Sequence, residues 1–189
     1  MWISSFLKDL KWYILVSTLL FFGTVVIGYL FSQLTLSNPA DIIEELGTAF
    51  AWLDGLTPFR LFLVIFLNNS IKALAVILLG IGLGIVPVGF VFLNGYIIGI
   101  LMYSVVQLKG PGFFALAILP HGIIEIPALL LSVSIGLKLG WNLFKVIKGE
   151  DLNLKKDLIE GVRFYTFIIL PMMLIAAFIE VYVTVALVR

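Results

Sequence analysis

Apolar residues run along this chain in five long blocks, each interrupted by only a few polar positions. A membrane-crossing helix needs about 20 mostly apolar residues, and the blocks reach that length at about 12–32, 59–80, 88–107, 112–138 and 163–188. The pattern predicts an all-α fold: a polytopic membrane helical bundle of five transmembrane helices forming a single domain, residues 1–189.

The polar segment after the first block carries a different pattern. Asn38 is suited to cap a helix, Pro39 to its first position and Asp41 to its first turn. Ile42, Leu46, Ala49, Phe50 and Leu53 then fall on one face, with Glu44, Glu45 and Thr48 off it, and Gly55 can stop the helix. This predicts an amphipathic helix at the membrane interface or packed over the bundle. Gly80, Gly82, Gly84, Pro87 and Gly89 mark a tight, uncharged turn between the second and third blocks. Gly95 and Gly99 form a small-xxx-small face in the third, and Gly136 and Gly140 repeat the spacing in the fourth. Such faces admit a close helix, which the sequence leaves open between this chain and a second copy.

Composition agrees with the blocks. Hydrophobic residues make up 62% of the chain, well above the roughly 45–50% of soluble domains, and the mean hydropathy is +1.19. With no cysteine, disulfides, cysteine nucleophiles and cysteine-held metals are excluded. The net charge of +1 points to no charged partner, and no nucleic-acid signature is present. Lys8 and Lys11 precede an apolar run too long for a signal peptide, so an uncleaved first span is expected.

The distribution of charge is more informative than its sum. Lys138, Lys145, Lys148, Lys155, Lys156 and Arg163 gather between the fourth and fifth blocks, while Asp41, Glu44, Glu45 and Asp54 lie between the first and second. The positive-inside rule places the lysine-rich connection and the N-terminus in the cytoplasm. It places the C-terminus and the amphipathic helix outside. Residues 141–162 are expected to form short surface helices there in the cytoplasm.

Several polar residues fall inside the blocks. An ionised group at the bilayer centre costs about 2.5–3.5 kcal/mol on insertion scales, so it needs partners. With a rise of ~1.5 Å per residue, Asn68 (~12 Å deep), His121 (~13 Å) and Glu180 (~12 Å) share one level. Lys72 (~18 Å), Glu125 (~20 Å) and Asn94 (~21 Å) share another, just past the midplane. Asn68 and Lys72 are i,i+4, as are His121 and Glu125, so each pair shares a helix face. The expected contacts are a Lys72–Glu125 ion pair and a hydrogen bond from His121 to Glu180 or Asn68. Pro120 and Pro127, with Gly122 between them, predict a kinked or broken fourth span. Broken helices beside charged groups border substrate sites in transporters, whereas a satisfied polar layer can simply fix one helix arrangement.

Catalytic chemistry is poorly represented. His121 is the only histidine, H-E-x-x-H is absent, and Asn68-Asn69-Ser70, Ser132 and Ser134 have no recognisable base beside them. No enzyme activity and no cofactor are expected. His121 and Glu125 offer two metal ligands and Glu180 a third, against the three of a typical catalytic zinc site, so a metal is left open.

Phe66-Leu67-Asn68-Asn69-Ser70, the turn from Gly80 to Pro87, Asn94-Gly95, and Pro120-His121-Gly122-Ile123-Ile124-Glu125-Ile126-Pro127 together resemble the stage II sporulation protein M family, over about 15–188. The matching signature positions are Asn68, Asn69, Asn94, His121, Glu125 and the flanking prolines. The resemblance implies a small polytopic membrane protein with no established enzymatic activity, similar in role to a scaffold recruiting partners that degrade peptidoglycan. The family extends to bacteria and archaea that form no spores, so the sporulation role does not transfer by itself. A homodimer in the cell membrane is expected, in contact with lipid and with membrane or envelope proteins. The alternative is a transporter or channel for an ion or small polar solute, using the polar layer.

Overall fold

The computed structural model describes residues 2–53 and 55–188. Asp54, one of the acidic positions above, lies outside the described residues. Among the described residues there is no strand. The helices are α1 (Trp2–Thr35), α2 (Pro39–Phe50), α3 (Pro58–Leu79), α4 (Ile85–Lys109), α5 (Pro111–Ile147), α6 (Leu154–Phe164), α7 (Leu170–Ile179) and α8 (Val185–Val188). The last three are one rod, joined by π-helical turns at Tyr165–Ile169 and Glu180–Thr184. Five helices among the described residues are long and apolar enough to cross a membrane: α1, α3, α4, α5 and the rod Leu154–Leu187. Large apolar side chains such as Trp12, Leu34, Phe59 and Ile85 point outward, as a lipid-facing surface requires.

Two spans are longer than the hydropathy pattern predicts. α1 begins at Trp2 because Phe6 and Leu10 are buried, Phe6 stacking on Phe164 with ring centroids 4.8 Å apart. Lys8 and Lys11 ride on its exposed face. α5 has 37 residues, a length of ~55 Å against a hydrocarbon core of ~30 Å. Its last turns therefore extend past the bilayer. The connection expected to hold short surface helices is the end of α5, a turn with Gly149 at φ +93°, and α6, which runs straight into the last span. Asp157 of α6 ties the two together, 3.3 Å from Lys138 and accepting from Asn142 Nδ2 at 2.9 Å.

Of the kink or break expected at Pro120, Gly122 and Pro127, the break does not occur: α5 is uninterrupted and both prolines lie inside it. Each proline removes a single backbone hydrogen bond, and the remaining ladder carries the helix through. The irregular backbone lies instead in the last rod, where each π turn adds one residue to the helical period.

α2 forms as expected. Asn38 Oδ1 accepts from the Ala40 amide at 3.2 Å, Pro39 opens the helix, and Gly55 follows at φ +86°. Ile42, Leu46 and Leu53 are half-buried, Ala49 and Phe50 remain exposed, and the helix packs on α4.

The glycine faces are used within the chain. α1 and α4 run parallel, and this is the most extensive helix pair. Gly95 lies against Phe21 and Thr24, and Gly99 against Val25, Gly28 and Tyr29. Gly136 faces Gly80, Val76 and Pro87, while Gly140 faces Leu83 and Gly84 of the turn into α4. That turn holds Leu83 at φ +56°, a left-handed conformation that costs a non-glycine residue roughly 1–2 kcal/mol. Leu83→Asn, which tolerates this region better, is expected to raise the detergent-solubilised melting temperature slightly. An unchanged or lower value in thermal unfolding would show that the exposed Leu83 side chain contributes more by packing than its backbone costs.

Candidate functional site

α3, α4, α5 and the last rod leave a hollow in the half of the bundle nearer α2. Its outer part, about 470 Å³, is lined by Asn68, Asn69, Lys72, His121, Glu125 and Glu180, with Phe50, Trp52 and Leu53 of the α2 end over it. A smaller recess of about 40 Å³ continues inward between Asn69, Lys72, Asn94 and Glu125, and is floored by Phe90, Leu129 and Met173. The six residues predicted from depth matching therefore meet around one polar space. The predicted levels survive in part: Asn94 touches only the inner recess, Asn68, His121 and Glu180 only the outer hollow, and Lys72 and Glu125 border both.

Helical spacing explains the convergence. Asn68, Asn69 and Lys72 project from α3 within about one turn, and His121 and Glu125 project from one face of α5. The π turn Glu180–Thr184 places Glu180 and Thr184 beside His121. A ligand atom from each of His121, Glu125 and Glu180 lies within 4.8 Å of the other two.

The hydrogen bonds differ from those expected. Glu125 Oε1 accepts from Asn69 Nδ2 at 3.0 Å, and Asn69 Oδ1 in turn accepts from Asn68 Nδ2 at 3.1 Å. Among the described residues, Lys72 Nζ has no carboxylate oxygen within 4.0 Å, so the Lys72–Glu125 contact ion pair is not formed. The carboxylate is instead turned to the amide that sits one turn closer to α2 on the same helix. His121 Nδ1 pairs with Thr184 Oγ1 at 3.3 Å, rather than with Glu180 or Asn68. Thr184 sits one π turn beyond Glu180 and offers a neutral partner. Asn94 Nδ2 donates to its own helix, at Phe90 O, 2.8 Å away. Asn69 and Thr184 are the two polar contacts that depth matching left out. Asn69 is adjacent to Asn68 and shares its depth, so its signal was present. Thr184 is i,i+4 from Glu180 and shares its helix face, so its signal was present as well.

The α6-side half of the bundle has a different character. Ser17, on α1, is 2.9 Å from Ser134, on α5, and Ser134 donates to Leu130 O at 2.6 Å. Tyr165 donates to Ser70 O at 3.0 Å. Ile77, Ile135, Leu139, Phe164 and Ile169 are buried around these groups. Here small hydroxyls join helices without leaving space, a common device in membrane bundles.

The fold and site together define a polytopic α-helical membrane protein with a polar hollow inside its spans. The chain belongs to the stage II sporulation protein M family, whose family model matches residues 17–185. It is similar to two uncharacterized proteins of Methanocaldococcus jannaschii. The first is 33% identical over 122 residues, 62% of this chain and 68% of that protein. The second is 32% identical over 104 residues, 55% of this chain and 45% of that protein. No solved structure matches the chain.

Proposed function

We propose that this protein admits an ion or small polar solute into its intramembrane hollow, as a transporter-class member of its family. One observation carries the reading: seven polar side chains from four helices line one continuous space, and the hydrogen bonds among Asn68, Asn69 and Glu125 do not close it. A network that served only to fix the helix arrangement would gain by closing, because unfilled space loses dispersion contacts. Polar groups inside a bilayer are stabilised by water or by a bound solute. The charge asymmetry of the connections supports a cytoplasmic N-terminus and α6, and with them a mouth beneath α2 that opens outside.

A second reading is the scaffold role that the resemblance implies. It is favoured by the packed α6-side half, which closes the hollow below Phe90, Leu129 and Met173. On this reading the protein holds a ligand while recruiting membrane or envelope partners. A homodimer would have to use faces other than the glycine faces, because those are occupied within the chain.

The chain has no cysteine, so single-cysteine variants report without background. Asn68→Cys and Lys72→Cys are expected to react in intact membranes with a membrane-impermeant thiol reagent added from outside, at rates within about tenfold of a Thr57→Cys control. Reaction at Thr57→Cys with none at the other two positions would mean a dry hollow and would overturn the reading.

A further inference from the structure

We propose that His121, Glu125 and Glu180 bind a divalent transition-metal ion of the Mn²⁺ or Zn²⁺ type inside the membrane. The inference rests on the cavity reading above and gives the hollow its solute class. Ligand atoms ~2.1 Å from such an ion sit ~3–4 Å from one another. The three groups already offer atoms within 4.8 Å of one another, so side-chain adjustments of about an ångström close the site. One imidazole with two carboxylates suits Mn²⁺, Fe²⁺ or Zn²⁺, whereas Ca²⁺ and Mg²⁺ favour oxygen ligands throughout.

Outer contacts support the same assignment. Metal-binding histidines use their second ring nitrogen for an orienting hydrogen bond, and metal-binding carboxylates are themselves held in place. His121 has Nδ1 on Thr184 Oγ1, and a proton donated there leaves the Nε2 lone pair for an ion. Glu125 has one oxygen on Asn69 Nδ2, which leaves the other for an ion. The π turn supplies both a ligand, Glu180, and the orienting Thr184, and single π turns inside helices recur at functional sites.

Electrostatics supplies an independent argument. Two carboxylates share one hollow within a membrane span, and neither has a cation within 4.0 Å among the described residues. Two carboxyl groups so placed cannot both ionise readily in a low dielectric unless a cation sits between them. A divalent ion there favours the ionised form of both. The site opens onto the 470 Å³ hollow, so water can complete the coordination shell, as in exchangeable rather than closed structural sites.

The test uses the full chain, purified in detergent, stripped with EDTA and titrated with MnCl₂ alone. Bound Mn²⁺ is read from the loss of the free-ion electron paramagnetic resonance signal, and ZnCl₂ is then added as competitor. One Mn²⁺ per chain, displaced by Zn²⁺, is expected. Glu180→Gln and His121→Gln should weaken binding at least tenfold while elution profile and helix content stay unchanged. If those variants do not fold, Asn69→Ala and Thr184→Ala, which touch only the ligands' partners, should weaken it by about 10–100-fold. Unaltered affinity in every folded variant, or no binding by wild type at millimolar Mn²⁺, would overturn the assignment. Wild type that binds no metal while Lys72→Cys still reacts from water loses the metal site alone. If Lys72→Cys does not react but one Mn²⁺ is bound, the metal site stands and the transporter reading falls.

Discussion

Gly99→Val is expected to be the most disruptive single substitution in the α1–α4 pair. A Cβ built at Gly99 would overlap Val25 O and stand 2.8 Å from the Tyr29 amide nitrogen and 3.0 Å from Gly28 Cα. Every one of these atoms is backbone, so no side chain can rotate away. α1 would have to move, and with it the Tyr29–Tyr103 edge contact at 5.5 Å. Overpacking of a well-packed interface costs about 1–3 kcal/mol even where side chains can yield, and a backbone collision belongs at or above the top of that range. The expected result is a large drop in melting temperature, or a protein that no longer elutes as a single species. Gly89→Ala, in the same helix, is the matched control: nothing lies within 4 Å of its Cβ. It should be neutral or stabilising by about 0.5–1 kcal/mol, the ordinary gain of alanine over glycine in a helix. If both variants melt alike, close backbone approach is not what holds α1 to α4.

Lys72→Met should have the second largest effect, through a charge that touches nothing. Lys72 borders both parts of the hollow with Glu125, yet stands more than 4.0 Å from its oxygens. Opposite charges that border one hollow still attract without touching, by an amount that solvent screening reduces. Lys72 is itself exposed and Glu125 and Glu180 are half-buried, so solvent screens much of that attraction, and removing the cation costs less than breaking a fully buried pair would. A loss of about 1 kcal/mol, near the upper end for solvent-screened pairs, is expected in EDTA-treated protein by thermal unfolding. The double variant Lys72→Met/Glu125→Gln should recover at least half of it, a coupling within the range for residues that interact. Additive losses would show that Lys72 acts through packing of its methylenes instead.

The sequence carried the bundle because lipid imposes simple rules. A span must be long and apolar, and its backbone must be satisfied within itself, so five blocks gave five helices. Capping chemistry at Asn38 and Pro39 marked the start of α2, while its end at Phe50 comes before Gly55, with a 3-10 turn over Ala51–Leu53 between. The polar residues were conspicuous against an apolar background, and helical rise alone placed Asn68, Lys72, Asn94, His121, Glu125 and Glu180 at depths where one space could collect them.

Tertiary structure decided which of those residues touch. Depth is a one-dimensional coordinate, while a hydrogen bond depends on rotation about each helix axis and on the separation of the axes. Glu125 therefore met Asn69 rather than Lys72, and His121 met Thr184 rather than Glu180 or Asn68. Proline spacing suggested a broken fourth span, but loss of one hydrogen bond per proline did not interrupt α5. The π turns that do disturb the backbone lie in the last rod, without a residue-type signature to announce them. Likewise Gly95, Gly99, Gly136 and Gly140 declared close approach, but only the packed chain supplied their partners. Local composition fixes what each helix needs to bury, and the three-dimensional arrangement selects the group that meets the need.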